Sequence, residues 1–407
     1  MSRIIAGFFH KKSNIRVRCF PFAFEDSGTP VMQVPMRHKS TLKNRPKRKV
    51  YHRVCELDKA MDLRKKPSLI LRLKSIIQSQ RNGTLLLRDL EKQVGFVQKW
   101  NMMAAIEKYP TIFYVGGGSG SRSPPYVTLT EKASRIASEE GRAIELMEPI
   151  VVNRLRKLLM LTVECRVPME KVELVENELG LPMDFRESLI PKYPQYFSVK
   201  CVDGTECLSL ENWDSSLAVT AREERLTGEG VQLMNPSRKM ARISRDGNFA
   251  GPFAFKLCYA KGFRPNKGFL EDLERWQRLE FPSPYLSARR FDGADPKTRK
   301  RMVGVLHELL SLTSEKRMTV EQLDAFRTEC KLPAKLLLCL VKHHGIFYVT
   351  NKGARGTVIL KEAYDGSRLI DKCPLLLFND KFVALSGRQE LPLSSDRAAA
   401  SEMFIQN

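Results

Sequence analysis

The chain has 407 residues, with 68 lysines and arginines against 46 aspartates and glutamates, for a net charge of +22. That length allows two to four small cores, and the charge points to a polyanionic partner, nucleic acid being the commonest. No run of 18 apolar residues offers a helical membrane span, and the nine cysteines form no C-x-x-C pair of a zinc or disulfide framework.

Residues 1–24 contain no acid, while Arg3, Lys11, Lys12, Arg16 and Arg18 alternate with Ile4, Ile5, Phe8, Phe9 and Ile15. This is the composition of an organelle transit peptide that forms a basic amphipathic helix, expected over residues 1–40. A basic tail that touches nucleic acid directly is the alternative. Arginine with bulky apolar residues favours a mitochondrial over a chloroplast address. Residues 41–66 continue as a basic arm (Arg45, Lys47, Arg48, Lys49, Arg64, Lys65, Lys66), read either as an RNA contact or as a solvated helix face. The first 50 residues alone carry a net +10, so a chain cleaved there keeps about +12.

A phrase then occurs three times: Lys108-Tyr-Pro-Thr-Ile-Phe-Tyr-Val115, Lys192-Tyr-Pro-Gln-Tyr-Phe-Ser-Val199 and Lys342-His-His-Gly-Ile-Phe-Tyr-Val349. Aliphatic triplets ending at Ile77, Leu159 and Leu310 precede its phenylalanine by 36, 38 and 37 residues. A second extended run follows each copy, so an internal repeat governs the fold. In the third copy, Val303, Leu306, Leu309 and Leu310 form a helical stripe. Thr319 with Gln322 forms a capping box for a second helix, which stops near Leu332-Pro333. A third helix runs from Ala334 to Lys342, and Ile346–Val349 and Thr357–Leu360 form a hairpin. Three helices and a hairpin is the order of a winged helix. The expected fold is therefore α+β and predominantly helical, with three winged-helix-like units in tandem at 67–135, 146–215 and 297–365. A connecting segment of basic and aromatic residues fills 216–296, and a partly disordered C-terminal tail fills 366–407.

No phosphate-loop, nucleophile-elbow or H-E-x-x-H motif occurs. Gly116–Gly120 lacks the Lys-Ser/Thr end of a phosphate loop and reads as a hairpin tip. His307 lies mid-helix as a flank of the apolar stripe, and His343-His344 sits at a helix end with no carboxylate near in sequence. Catalysis, a metal and a cofactor are all unexpected.

Leu306–Arg317, Leu332–Lys335, Gly345–Val349, Lys352–Val358, Asn212-Trp-Asp214 with Leu217-Ala218, Gly262-Phe263 and Phe281-Pro-Ser-Pro-Tyr285 form a set of motifs that runs from about residue 49 to 375. Through them the sequence resembles the plant organellar RNA recognition (PORR) domain family. Leu257–Ala260 and Arg355-Gly356 are less regular than the family pattern. The resemblance implies an organelle-imported RNA-binding protein that supports splicing of group II introns. Its partners would be single-stranded or structured organellar RNA in intron-containing transcripts, together with other splicing factors. A winged-helix DNA-binding protein of the organelle nucleoid, or a protein scaffold in a ribosomal or splicing complex, are the alternatives.

RNA binding needs cations along phosphates and flat rings for bases. In each repeated phrase the Phe/Val face reads as hairpin core, which leaves Tyr114, Tyr196 and Tyr348 as candidate stackers. Lys108, Lys192 and Lys342 close the third helices, where a phosphate contact and a helix-dipole role both fit. Hairpin-tip candidates are Arg122, Lys200, Lys352 and Arg355. Arg154, Arg156 and Lys157 add basic surface on one first helix, as Lys297, Arg299, Lys300 and Arg301 do on the next. In the connecting segment, Arg238, Lys239 and Arg242 (with Arg245) interleave with aromatics. That pattern suits single-stranded RNA, and equally a basic linker packed by its rings.

Overall fold

The computed structural model describes residues 53–387 apart from 95, 118–123, 229–246, 250–252, 292–294 and 353–355, with backbone alone at 91–94 and 96–101. The described chain opens with α1 (Cys55–Leu63), and an element pattern then recurs three times. The first copy is α2 (Lys65–Gln78), β1 (Thr84–Leu86), α3 (Leu87–Val94), α4 (Phe96–Lys108), β2 (Phe113–Gly116) and β3 (Tyr126–Leu129). After α5 (Glu131–Ala137), the second is α6 (Glu140–Leu161), β4 (Arg166–Pro168), α7 (Met169–Glu173), α8 (Glu176–Leu179), α9 (Phe185–Lys192), β5 (Phe197–Val202) and β6 (Thr205–Leu210). The connecting segment carries α10 (Ala221–Gly228) and α11 (Lys267–Arg278). The third copy is α12 (Pro296–Leu312), β7 (Arg317–Thr319), α13 (Val320–Ala325), α14 (Leu336–Lys342), β8 (Phe347–Thr350) and β9 (Thr357–Leu360). A short ribbon, β10 (Tyr364–Asp365) and β11 (Arg368–Leu369), leads to α15 (Pro374–Ala384).

Each hairpin is one part of a three-stranded antiparallel sheet, with orders β1-β3-β2, β4-β6-β5 and β7-β9-β8. The added strand has three residues each time, too few to show an alternating pattern in sequence. The registers repeat: Phe113 pairs with Leu129, Phe197 with Leu210 and Phe347 with Leu360. Just before the added strand the backbone turns left-handed, at Gly83, Cys165 and Lys316 with φ of 60°, 51° and 53°. That conformation costs a non-glycine residue about 1–2 kcal/mol. The carbonyls of Cys165 and Lys316 then accept from Leu210 and Leu360 N–H at 2.9 and 3.0 Å, which offsets it.

The second and third copies meet in a reciprocal contact. Ser314 N–H donates to the Glu178 carbonyl at 2.6 Å, and at the equivalent positions Val163 N–H donates to the Glu329 carbonyl at 2.8 Å. Gly180 fits there because its φ is +79° and a Cβ would stand 2.9 Å from Ser314 Oγ. One continuous core therefore joins these two copies with the connecting segment, through Phe255, Leu273, Trp276 and Tyr285. A second core holds the first copy together with Phe378 and Phe382 of α15. That helix lies in the stretch expected to be tail. A small third cluster sets Leu57 and Met61 of α1 against Tyr348 and Ile359 of the third sheet. The two ends of the described chain thus brace opposite repeats.

Two expectations change. Phe113, Phe197 and Phe347 are core, but Val115 and Val199 on the same face are 47% and 43% exposed. The apolar cover ends beside the phenylalanine in those two sheets, whereas Val349 packs on the central core. The basic surface read on the first helices is partly interior. Arg156, Lys300 and Arg301 are buried, because each finds carbonyl or carboxylate acceptors that make burial tolerable. Lys300 Nζ donates to the Gln277 and Leu279 carbonyls at 2.7 and 2.6 Å, closing the end of α11. Arg301 donates to the Pro284 and Leu286 carbonyls, both at 2.7 Å.

Candidate nucleic-acid interface

The third helix of each copy ends on its lysine, and α14 shows what that placement does. Leu336 and Leu340 bury one side of the helix, while Lys335, Leu338 and Lys342 stay exposed on the other. Arg299, exposed on the first turn of α12, acts on Lys342. Desolvation first, and then repulsion from Arg299, lowers the Lys342 ammonium below its ordinary value. Lys331 stands exposed in the turn before α14. Arg299, Lys331 and Lys335, without an acidic partner among the described residues, favour an incoming anion.

The other candidates divide. Tyr114 is 57% exposed on the first sheet. Tyr196 is half-buried, with the Arg156 guanidinium 4.0 Å from its ring centroid and Tyr193 stacked beside it at 6.2 Å and 14°. Tyr348 is buried under α1, and its hydroxyl donates to Asp58, so its ring offers no open face in this fold. Lys192 pairs with Glu148 at 2.5 Å, Lys200 with Glu211 at 2.6 Å and Lys352 with Asp62 at 3.2 Å. These partly exposed pairs are weak and exchangeable. Arg154 is half-buried and spans the second and third copies, donating to the Leu179 carbonyl and Ser314 Oγ, both at 2.9 Å. Arg156 bridges to Asp214 at 3.0 Å, and Lys157 donates to the Val219 carbonyl at 2.9 Å. Arg122, Arg238, Lys239, Arg242 and Arg355 lie outside the described residues.

The connecting segment's aromatics pack against protein. Phe253 stacks on Phe281 at 3.5 Å, and Phe255 on Trp276 at 5.5 Å. Of the two readings left open for those rings, packing accounts for the described ones. Trp213, noticed in sequence only as part of a motif, is 48% exposed. The signal that could have found it is a large aromatic between two polar residues, Asn212 and Asp214, just after a strand.

An enzyme-like arrangement sits in the core. Ser311, His307 and Glu362 lie in line, with His307 Nε2 2.7 Å from Glu362 and Ser311 Oγ 3.5 Å from His307 Nδ1. All three are buried, and the Ser311 hydroxyl donates instead to the His307 carbonyl at 2.8 Å. The geometry is that of a structural network. Among the described residues no cluster of His, Cys, Asp or Glu is able to hold a metal ion, and no helix is long and apolar enough to cross a membrane.

The family model described as the plant organelle RNA recognition domain (PORR) matches residues 52–391. The chain belongs to this family. It is 33% identical over 331 residues to the chloroplastic protein WHAT'S THIS FACTOR 1 of Zea mays, covering 81% of this chain and 65% of that one. Its identity to the chloroplastic homolog from Arabidopsis thaliana is 32% over 338 residues, 82% of this chain and 62% of that one. A more distant relative, the mitochondrial WHAT'S THIS FACTOR 9 of Arabidopsis thaliana, is 26% identical over 332 residues, 81% of each chain. The chain thus spans a little under two thirds of the length of the first two relatives. No solved structure matches it.

Proposed function

We propose that this PORR protein is imported into an organelle, binds intron RNA and promotes group II intron splicing without chemistry of its own. The observation that carries this reading is the match of an RNA-recognition family model across residues 52–391. The +22 charge and the cations around α14 support it physically. Contact would fall on Arg299, Lys331, Lys335 and Lys342, on the exchangeable Lys192 and Lys200, and on the open ring of Tyr114. Arg122, Arg238, Lys239, Arg242 and Arg355 join them on sequence alone.

The recurring order of helices and strands, with the returning strand central in each sheet, supports three winged-helix-like units at 67–135, 146–215 and 297–365. For the compartment, the arginine-rich, acid-free residues 1–24 support the mitochondrion. The chloroplast is the second reading, favoured by the names of the two more similar relatives.

Immunoprecipitation from purified mitochondria, followed by sequencing of bound RNA and DNA, tests the whole reading. Enrichment of a few intron-containing transcripts is expected. Enrichment of DNA, or of ribosomal RNA alone, would replace the reading with nucleoid binding or a ribosomal scaffold.

A further inference from the structure

We propose that Trp213 is a stacking platform for one unpaired base of the bound RNA, with Lys192 and Lys200 holding the neighbouring phosphates. This rests on the RNA-binding reading above and gives it a specific site. The backbone around Trp213 is fixed on both sides. Glu211 N–H donates to the Tyr196 carbonyl at 2.9 Å, and the Asn212 amide donates to the Gln195 carbonyl at 3.2 Å. On the other side, the Asp214 carboxylate accepts from Arg156 at 3.0 Å and from the Ser216 N–H and hydroxyl at 2.9 and 2.6 Å. The indole between these anchors is 48% exposed and has no ring or hydrogen-bond partner among the described residues. A tryptophan usually buries its ring and satisfies its N–H. Here a loop anchored on both sides leaves the residue half-exposed and its N–H without a partner among the described residues, which is the preorganisation a stacking partner needs.

The surroundings fit a nucleotide better than a purely apolar partner. Arg156 ties the loop to the next aromatic step, since it binds Asp214 while its guanidinium lies on the Tyr196 ring at 4.0 Å. Tyr193 continues that stack. Lys192 Nζ lies 5.8 Å from the Tyr193 ring centroid and pairs with Glu148, while Lys200 pairs with Glu211 on the chain leading to Trp213; both pairs are partly exposed, so a phosphate can compete for either ammonium. A base inside a duplex cannot reach such a ring, so the platform selects single strands.

The test uses the full chain, a random-sequence single-stranded RNA pool carrying 4-thiouridine, and an RNA duplex of equal length. Trp213→Ala should weaken single-strand binding roughly 5- to 150-fold, the range for loss of one stacked base. Duplex affinity should not change, and Trp213→Phe should keep most of the single-strand affinity. Photocrosslinking of the unmutated chain should place an adduct on the peptide containing Trp213, a readout independent of whether the variants fold. Equal single-strand affinity of the Ala variant, as a protein-docking role would give, overturns the platform; so do crosslinks confined to other peptides. If the unmutated chain binds neither probe, the RNA reading itself fails, which is a separate outcome.

Discussion

The hydroxyl of Tyr348 donates to the carboxylate of Asp58 at 3.0 Å, across 290 positions of chain. Thr350 Oγ1 donates to the same oxygen at 2.7 Å, and Arg53 pairs with the carboxylate from the solvent side. Burial alone would raise the Asp58 carboxyl. The hydrogen bonds from Thr350, Arg53 and Tyr348 outweigh it and hold the group below its ordinary value. An acidic amphipathic helix thus closes the outer face of the third sheet, while the equivalent Tyr114 of the first sheet stays open. Asp58→Ala leaves two buried hydroxyl donors without an acceptor, a loss of about 1–3 kcal/mol. Hydrogen exchange should show residues 55–63 released first. Unchanged protection of that helix would mean Leu57 and Met61 hold it alone.

Glu362 gives the fold an acid limit. It is buried, yet His307 at 2.7 Å, with Arg222 at 3.5 Å and Arg225 at 3.3 Å, brings its carboxyl down to about 2 against the desolvation that would raise it. A depressed carboxyl stabilises the fold above its unfolded value of about 4.3 and loses that contribution as pH falls toward 2. The Tm should therefore drop across that window. Glu362→Gln should cost about 3–5 kcal/mol at neutral pH, because it leaves the buried Arg222 guanidinium without its carboxylate, and its Tm should fall less steeply with acid. Parallel acid profiles for the two proteins would remove Glu362 from the account.

The C-terminal helix should behave as part of the first repeat. Phe382 and Phe378 are buried in its core, and Lys74 Nζ lies 4.7 Å from the Phe378 ring centroid while pairing with Glu140 at 2.6 Å. Phe382→Ala should cost about 3–5 kcal/mol, with protection lost at residues 84–129. Phe347→Ala should cost a similar amount but open the third repeat instead. If both variants opened the same region, the two cores would not be separate.

Salt dependence should locate the phosphate contacts. For single strands each neutralised phosphate contributes about 0.7 to the logarithmic slope. Replacing Arg299, Lys335 and Lys342 together by alanine should flatten that slope by about 2. Lys352→Ala should flatten it by no more than about 0.7, the share of one phosphate. An equal effect of both changes would shift the interface from the α14 face to the wing.

Features set by neighbouring residues were legible in the sequence. Thr319 caps α13 through the Gln322 box, because both partners lie within one turn. The repeated phenylalanines occupy the same register in all three sheets, since an alternating strand and a helical stripe fix the inward side locally. Repetition and family motifs were equally legible, and the matched family agrees with the resemblance.

Burial of charge was not legible, and only the tertiary structure decided it. A lysine reads the same at Lys300, where two carbonyls at a helix end hold it inside, as at Lys335, which faces solvent. The sequence by itself determined the repeats, their helices and hairpins and the excess of cations, because these depend on composition and short-range periodicity. Which cations remain exposed, which tyrosine stays open and which repeat each chain end braces depended on contacts between distant segments. Those contacts are set by shape and acceptor position, which leave no periodic mark in the chain.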